Sequence, residues 1–439
     1  MYKEIKLVKI EVKKLFGFYN YLVDDSQKNS DDSTLLIIYG DNGSGKTTLL
    51  KMIFYLLSPV NNSGHKTELC RIKFNLFSIT LSDGTIISAR RKGNEIVGSY
   101  SLSINKGGEV FEVFLKVTSD NSIRVSDEPK IEREYEKFLK QVAMLNITIN
   151  FLSEDRKLLS FSDQSDRSNS MTLKKRLIRN ALEKGQMIHD FEEDRDDTVT
   201  SSVRNLESWL KSNALRGTKA GEENANTIYS NLLTQVSNPK NSKIKTDQVQ
   251  NLLHKIKNIG EESLNFYKSG LMSQIETLEF ETALASAKEP NLSLVYNVLE
   301  PYIEGLQGRL NSLRPVQDIL SKFLTGINDY FTHKTISYNI DVGFKLRHNE
   351  LNEPIEFSTL SSGERQLLQL FCNVITSSEK STIFIIDEPE ISLNIKWQRK
   401  LIRTLLNFSV SKNVQFIFAS HSIELLSGHS DSVFKLTNV

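Results

Sequence analysis

The chain has 439 residues, 39% hydrophobic and 25% charged, the proportions of an ordinary folded globular protein rather than a disordered or fibrous one. Lys plus Arg number 55 against 54 for Asp plus Glu, so a formal charge of +1 excludes a whole-molecule field that draws the protein to nucleic acid or anionic membrane. Its two cysteines, Cys70 and Cys372, stand in apolar segments and read as buried thiols of a reducing compartment, and neither a signal-peptide stretch nor a run of about 18 apolar residues occurs, so a cytoplasmic, membrane-free protein is expected.

Residues 4–12 alternate as a half-buried strand, and Leu35–Tyr39 is a continuous apolar run of the buried-strand kind. A glycine-rich loop follows, then a helix over Lys46–Leu57. From Arg71 to Lys116 the pattern is antiparallel strand, with turns at Asp83-Gly84 and Lys106-Gly107-Gly108. Residues 130–145 read as a helix and Ile147–Leu152 as a strand. From about Ser162 the text turns polar and helical, in segments Leu173–Met187, Val203–Leu210, Val249–Phe280 and Leu292–Phe331, without the sustained heptads of a coiled-coil arm. Strand character returns at Ile336–Val342, a helix follows Gly363, and Ile383–Ile386 and Val414–Phe418 are buried parallel-type strands with a helix between them. Alternating strands and helices around a glycine loop predict a three-layer α/β core, read as residues 1–161 and 332–439 of one nucleotide-binding lobe, interrupted by a helical insertion over 162–331.

The loop Gly40-Asp41-Asn42-Gly43-Ser44-Gly45-Lys46-Thr47 follows a strand and opens a helix, the context that makes this pattern a phosphate-binding loop rather than a bare glycine turn. Gly43 and Gly45 let successive N–H groups face a phosphate, with Asn42, Ser44 and Thr48 around it. Lys46 is the group to bridge the β- and γ-phosphates of ATP, and Thr47 the hydroxyl to ligate Mg2+. Asp387 and Glu388 end an apolar strand; Asp387 is the second metal candidate and Glu388 the carboxylate to orient or deprotonate the attacking water.

Five pieces in one order carry a family resemblance. After the loop come Leu360-Ser361-Ser362-Gly363-Glu364, Ile385-Ile386-Asp387-Glu388-Pro389, Ser392-Leu393-Asn394 and Ser420-His421. Together they resemble an ABC-type ATPase: a P-loop NTPase head of α/β class with an antiparallel β subdomain. The resemblance covers roughly 1–160 and 335–439 and implies that Ser361, Ser362 and Gly363 form a signature sensing the γ-phosphate on another copy of the chain. The same segment reads as a helix capping box, Ser361 with Glu364, and the two readings are compatible. It further implies that Ser392-Leu393-Asn394 is a D-loop and His421 the switch histidine. The glutamine that such proteins use toward magnesium is missing, leaving Ser153 or Glu154, and Phe16, Phe18 and Tyr19 are as readily core or loop aromatics as a base platform.

Ile386 to Asn394 followed by Lys396-Trp397-Gln398 is similar to the OLD and RecF-like group, which includes phage-defence ATPases of the PARIS and Septu type. That implies a homo-oligomeric sensor or scaffold controlling a separately encoded effector, a Toprim-like or HNH-like nuclease, after a phage trigger. The 18 residues after His421 (439 minus 421) are too few for a Toprim nuclease in this chain. The competing class is a RecF or SMC-like ATPase of DNA repair or chromosome maintenance, with Arg90-Arg91-Lys92 as a candidate backbone contact; a slow nucleotide-gated scaffold is the third. The acidic run Asp190–Asp197 and basic run Lys174–Arg176 read as solvated helix faces.

Overall fold

The computed structural model describes residues 4–25, 34–61, 63–118, 122–123, 129–154, 158–161, 199–216, 244–288, 291–377, 381–409 and 413–438. They fall into two compact units, Met1–Asp194 with Ser377–Val439, and Arg195–Thr376.

In the first unit, residues without polar alternation form a sheet covered on both faces. Its order is β15 (Val433–Lys435), β3 (Leu35–Tyr39), β14 (Val414–Ser420), β13 (Ser381–Asp387), β8 (Ile147–Leu152) and β9 (Leu158–Phe161). All pairings are parallel except β8 with β9. Every residue of β13 and β14 is buried, which is why both are mostly apolar without strand alternation. The register sets Asp387 opposite Ala419, Ser420 opposite Tyr39 and Leu152 opposite Ile386, so the carboxyl ends of four strands open on one edge.

The alternating segments form an antiparallel sheet: β2 (Tyr19–Asp24), β1 (Leu7–Leu15), β4 (Leu76–Leu81), β5 (Ile86–Arg91), β6 (Tyr100–Lys106) and β7 (Glu109–Leu115). Gly84, Gly107 and Gly108 make its turns with positive φ, as their sequence positions predict. One side chain sews this sheet to the parallel one. The Gln415 amide, on β14 and 1% exposed, accepts from Leu7 N at 2.8 Å and donates to Leu7 O at 2.8 Å, a ladder rung made by a side chain.

The helix after the glycine loop, α1 (Lys46–Leu57), packs its apolar face between the two sheets, with Leu49, Leu50, Ile53 and Phe54 fully buried. Its last carbonyls have no intrahelical partner, and Lys66 at the start of α2 (His65–Arg71) supplies one. The Lys66 ammonium donates to Tyr55 O, Leu56 O and Ser58 O at 2.6, 2.7 and 3.1 Å. Burial pushes it down to about 7. Arg91 does the same for α2, donating to Cys70 O at 2.6 Å and Ile72 O at 3.0 Å beneath the Phe74 ring. This removes Arg91 from the candidate backbone contact Arg90-Arg91-Lys92, for it is 2% exposed and donates to backbone carbonyls, while Arg90 and Lys92 are exposed.

Helix α3 (Pro129–Met144) completes the first unit. The second holds α4 (199–216), α5 (Thr246–Lys268), α6 (Leu278–Ser286), α7 (Asn291–Asn328), a small antiparallel sheet of β10 (Lys334–Asn339), β11 (Gly343–His348) and β12 (Pro354–Ile355), and α8 (Ser362–Thr376). The stretch Val249–Phe280 is thus two helices, parted at Gly270, whose φ of 70° and contact with Tyr338 O leave no room for a side chain. The units divide at 194/195 and 376/377, where the sequence pattern suggested 161/162 and 331/332. Packing explains the difference: Phe323 of α7 meets Phe344 at 5.5 Å, Tyr330 meets Phe371 of α8 at 5.5 Å, and Glu207 of α4 accepts from Phe344 N at 2.6 Å. The small sheet and α8 therefore belong with the other helices. The segment Leu173–Met187 and the basic and acidic runs lie outside the described residues.

Replacing Gln415 by leucine leaves both polar groups of Leu7 buried without that partner. We expect a destabilisation of roughly 2–4 kcal/mol, seen as an earlier midpoint in chemical denaturation. An unchanged midpoint refutes the clamp.

Candidate nucleotide site

The glycine loop leaves β3 at the open edge. Gly43 and Gly45 have φ of 80° and 88°, and Gly45 caps α1 in the left-handed conformation, so the loop takes a curl that other residues resist. Space adds to the demand at Gly45: an added Cβ falls 3.0 Å from the Phe16 ring and 3.1 Å from Leu15. Tyr21 OH donates to Ser44 O at 2.8 Å, tying the β1–β2 hairpin to the loop. Phe16 thus packs on the loop glycine. Phe18 is 58% exposed and Tyr19 lies between it and Tyr21, an aromatic run beside the loop.

Lys46, 4% exposed, donates to Gly40 O at 2.8 Å and Asp41 O at 3.1 Å, holding a cation in the cup of the loop. Thr47 donates from Oγ1 to Asp387 Oδ1 at 3.2 Å, so the two residues singled out for metal, 340 positions apart, meet. Asn42 is exposed at the rim and Thr48 half-buried in the first turn. Burial pushes the Asp387 carboxyl up to about 6 against the bond from Thr47, and the charges of Glu388 and Glu154 add to the rise. Ser153 and Glu154 leave β8 beside β13, and it is Glu154 whose charge reaches Asp387; Asp155 and Arg156 lie outside the described residues.

Glu388 takes φ of 46°, a left-handed conformation that costs a non-glycine residue energy. Its N–H is fixed by Ala419 O at 2.9 Å, and its Oε1 lies 2.8 Å from His421 Nε2. A carboxylate only accepts, so Nε2 carries the proton. Asn394 does what the sequence did not foresee, capping α9 (Ile395–Ser409) by accepting from Trp397 N at 3.0 Å. Ser392, at φ 67°, forms the bend before it.

Two residues were missed. Glu390 accepts at Oε1 from Ser420 Oγ, His421 N and Ser422 N, and Gln398 bridges Ser422 Oγ to the carbonyls of Glu390 and Leu393. Their charge and amide are visible in the sequence, but their partners in the histidine loop lie 24 to 32 residues away, beyond a helix and a strand.

Ser44 Oγ and Asp387 Oδ2 are buried and have no hydrogen-bond partner among the described residues. Two orphaned oxygens, a glycine cradle and a buried ammonium fit a polyphosphate with a hard cation. Among the described residues no three His, Cys, Asp or Glu are placed to hold a metal.

In the second unit, Ser361 and Ser362 are exposed at the N-terminus of α8 and Gly363 is buried. The capping box is present in both directions: Ser361 N donates to Glu364 Oε2 at 2.7 Å and Glu364 N to Ser361 Oγ at 3.4 Å. Burial raises the Glu364 carboxyl, yet the Lys334 ammonium at 2.7 Å and the bonds from Ser361 outweigh it and hold the group below its ordinary value.

Residues 35–427 match the family described as "AAA domain, putative AbiEii toxin, Type IV TA system". The chain belongs to that family. It is a P-loop ATPase of α/β class, as its glycine loop and sheet order lead one to expect. Similar solved structures include the Smc head domain with an extended coiled coil bound to the C-terminal domain of ScpA, from Pyrococcus furiosus, at TM-score 0.37 and 11% identity, covering 99% of this chain and 94% of that one. Another is the SmcHead bound to the C-winged helix domain of ScpA, at TM-score 0.36 and 10% identity, covering 98% and 93%. No curated protein matches the chain. Among the described residues no helix is long and apolar enough to cross a membrane.

The Asp387 shift has a sign that stability measurements read. The unfolded carboxyl loses its proton near 3.8 and the folded one near 6, so folding is penalised increasingly as pH rises through that window, and fully above it. In EDTA, Asp387→Asn is expected to stabilise the chain by about 1–3 kcal/mol at pH 7.5, the gain disappearing toward pH 4. A gain that grows on acidification contradicts the assignment.

Proposed function

We propose that this chain hydrolyses ATP in the manner of an ABC-type ATPase, with Mg2+, and that it serves as the sensor or scaffold of a bacterial anti-phage system controlling a separately encoded effector. The observation that carries the chemistry is convergence at one sheet edge: Thr47 on Asp387 at 3.2 Å and His421 on Glu388 at 2.8 Å, from three strand ends.

Lys46 exchanges its two carbonyl partners for phosphate oxygens and neutralises charge on the β- and γ-phosphates. Thr47 and Asp387 are the residues to hold the magnesium ion, which when bound neutralises charge on the phosphates. Glu388 takes or directs the proton of the attacking water. His421 keeps that carboxylate aimed, since its Nε2–H donates to Oε1. The signature residues Ser361, Ser362 and Gly363 act on nucleotide held by a second copy, so the working unit is a homodimer or larger. That assignment rests on the resemblance of their motif and on the exposure of both serines.

The cellular role rests on different support. The family description, "putative AbiEii toxin, Type IV TA system", fits an ATPase that works with a separately encoded protein, a Toprim-like or HNH-like nuclease in this reading. The described residues hold no metal cluster for a nuclease of their own. The DNA-clamping alternative loses Arg91, which is buried.

Lys46→Ala is expected to abolish turnover by weakening ATP binding, whereas Glu388→Gln binds ATP as the wild type does and turns over roughly 10²–10⁴-fold more slowly. Mixing Lys46→Ala with Ser361→Arg chains restores one complete site in each mixed dimer, giving roughly a quarter of the wild-type rate for random pairing. No recovery on mixing, or hydrolysis by a species that light scattering shows to be monomeric, overturns the shared site. For the cellular role the readout is phage plating: Glu388→Gln is expected to lose resistance, and full resistance contradicts it.

A further inference from the structure

Glu390 stands two residues beyond the strained Glu388, on the same bend. Its Oε1 receives three donors from consecutive residues: Ser420 Oγ at 2.6 Å, His421 N at 3.0 Å and Ser422 N at 3.2 Å. Donors wrapped this closely on one anionic oxygen fix the backbone that carries the His421 ring, and charge makes each of those bonds stronger than its neutral counterpart. Oε2 is buried with no partner among the described residues, so the carboxylate faces this loop alone.

Gln398, in the first turn of α9, closes the circuit. Its Nε2 donates to Glu390 O at 3.3 Å and Leu393 O at 2.9 Å, while its Oε1 accepts from Ser422 Oγ at 2.7 Å. Ser422 Oγ in turn accepts from Leu425 N at 3.2 Å, capping α10 (Ile423–Leu426). The bend from Glu388 to Leu393, the start of α9 and the loop 420–422 are therefore one hydrogen-bonded piece.

We propose that Glu390 is a positioning residue, whose carboxylate with Gln398 sets the His421 imidazole against Glu388 and couples the bend before α9 to the histidine loop. The inference rests on the ATPase reading for its consequence but not for its geometry. Glu390 touches no reacting atom in it; it acts through His421.

The test uses the full-length chain with 13Cε1-labelled histidine, the His421 resonance being the one that His421→Ala removes. In Glu390→Gln, whose amide brings an N–H group to a place with no acceptor, that resonance is expected to move and broaden. Turnover falls roughly 10–100-fold with KM changed less than about twofold, as for partners that orient a reacting group. In a His421→Ala background the same substitution costs less than about twofold, because the effect passes through the ring already removed. Ser420→Ala deletes one donor and gives the same changes on a smaller scale, keeping the test alive if Glu390→Gln does not fold. An unmoved His421 resonance in both variants, or an undiminished Glu390→Gln penalty in the His421→Ala background, overturns the proposal. If the wild type hydrolyses no ATP while the resonance still moves, the ATPase reading fails and the positioning stands.

Discussion

Strand β14 is flanked by β3 on one side and β13 on the other, and its register decides what the open edge of the sheet contains. Ser420 pairs with Tyr39, just before the glycine loop, while Ala419 pairs with Asp387, just before Glu388. Because neighbouring residues on a strand face opposite ways, a slip of one position at either pairing turns His421 away from Glu388 or lifts Asp387 from Thr47. The register is held by complete burial of both strands and by Gln415, which fastens the second residue of β14 to β1. The chemistry at one end of β14 thus depends on an amide at the other.

The two ends of α1 show how differently a protein treats charge where it binds and where it only folds. At the far end Lys66 is saturated by three carbonyls, and nearby Arg91 is likewise enclosed. At the near end Ser44 Oγ and Asp387 Oδ2 are buried with no partner among the described residues, and Glu388 sits in an unfavourable backbone conformation. Exceptions to the local rules occur elsewhere too, as at Thr85 Oγ1 and Tyr338 OH, but at the edge of the sheet an orphaned hydroxyl, an orphaned carboxylate oxygen and a left-handed glutamate stand in one place.

What the sequence made legible was set by range. Leu35–Tyr39, Lys46–Leu57 and Ile147–Leu152 were readable to the residue because run length and a glycine loop define them locally. The pairing of Thr47 with Asp387 followed from ordered motifs. The roles of Gln415 and Glu390 were not legible, because their partners are 408 and about 30 residues away. The grouping of the small sheet with the helices was hidden for a related reason: an alternating strand such as β10 announces that it pairs, but not whether it packs with helices before it or with the sheet after it. Asn394 shows that a position named from a motif can have a plain duty as well, here as a helix cap.

The carbonyl ligands of Lys66 and Arg91 carry one more consequence. Most buried cations are matched by carboxylates, and acid strips them of their partners as those groups take up protons. Amide carbonyls do not titrate in that range, so both cations keep every bond they have as the medium acidifies. The carbonyl contacts of Lys66 and Arg91 thus bring no acid-labile carboxylate to the junction between the glycine-loop helix and the antiparallel sheet, and the group there that acid strains is His65, which burial against Phe54 and Tyr55 pushes down to about 4.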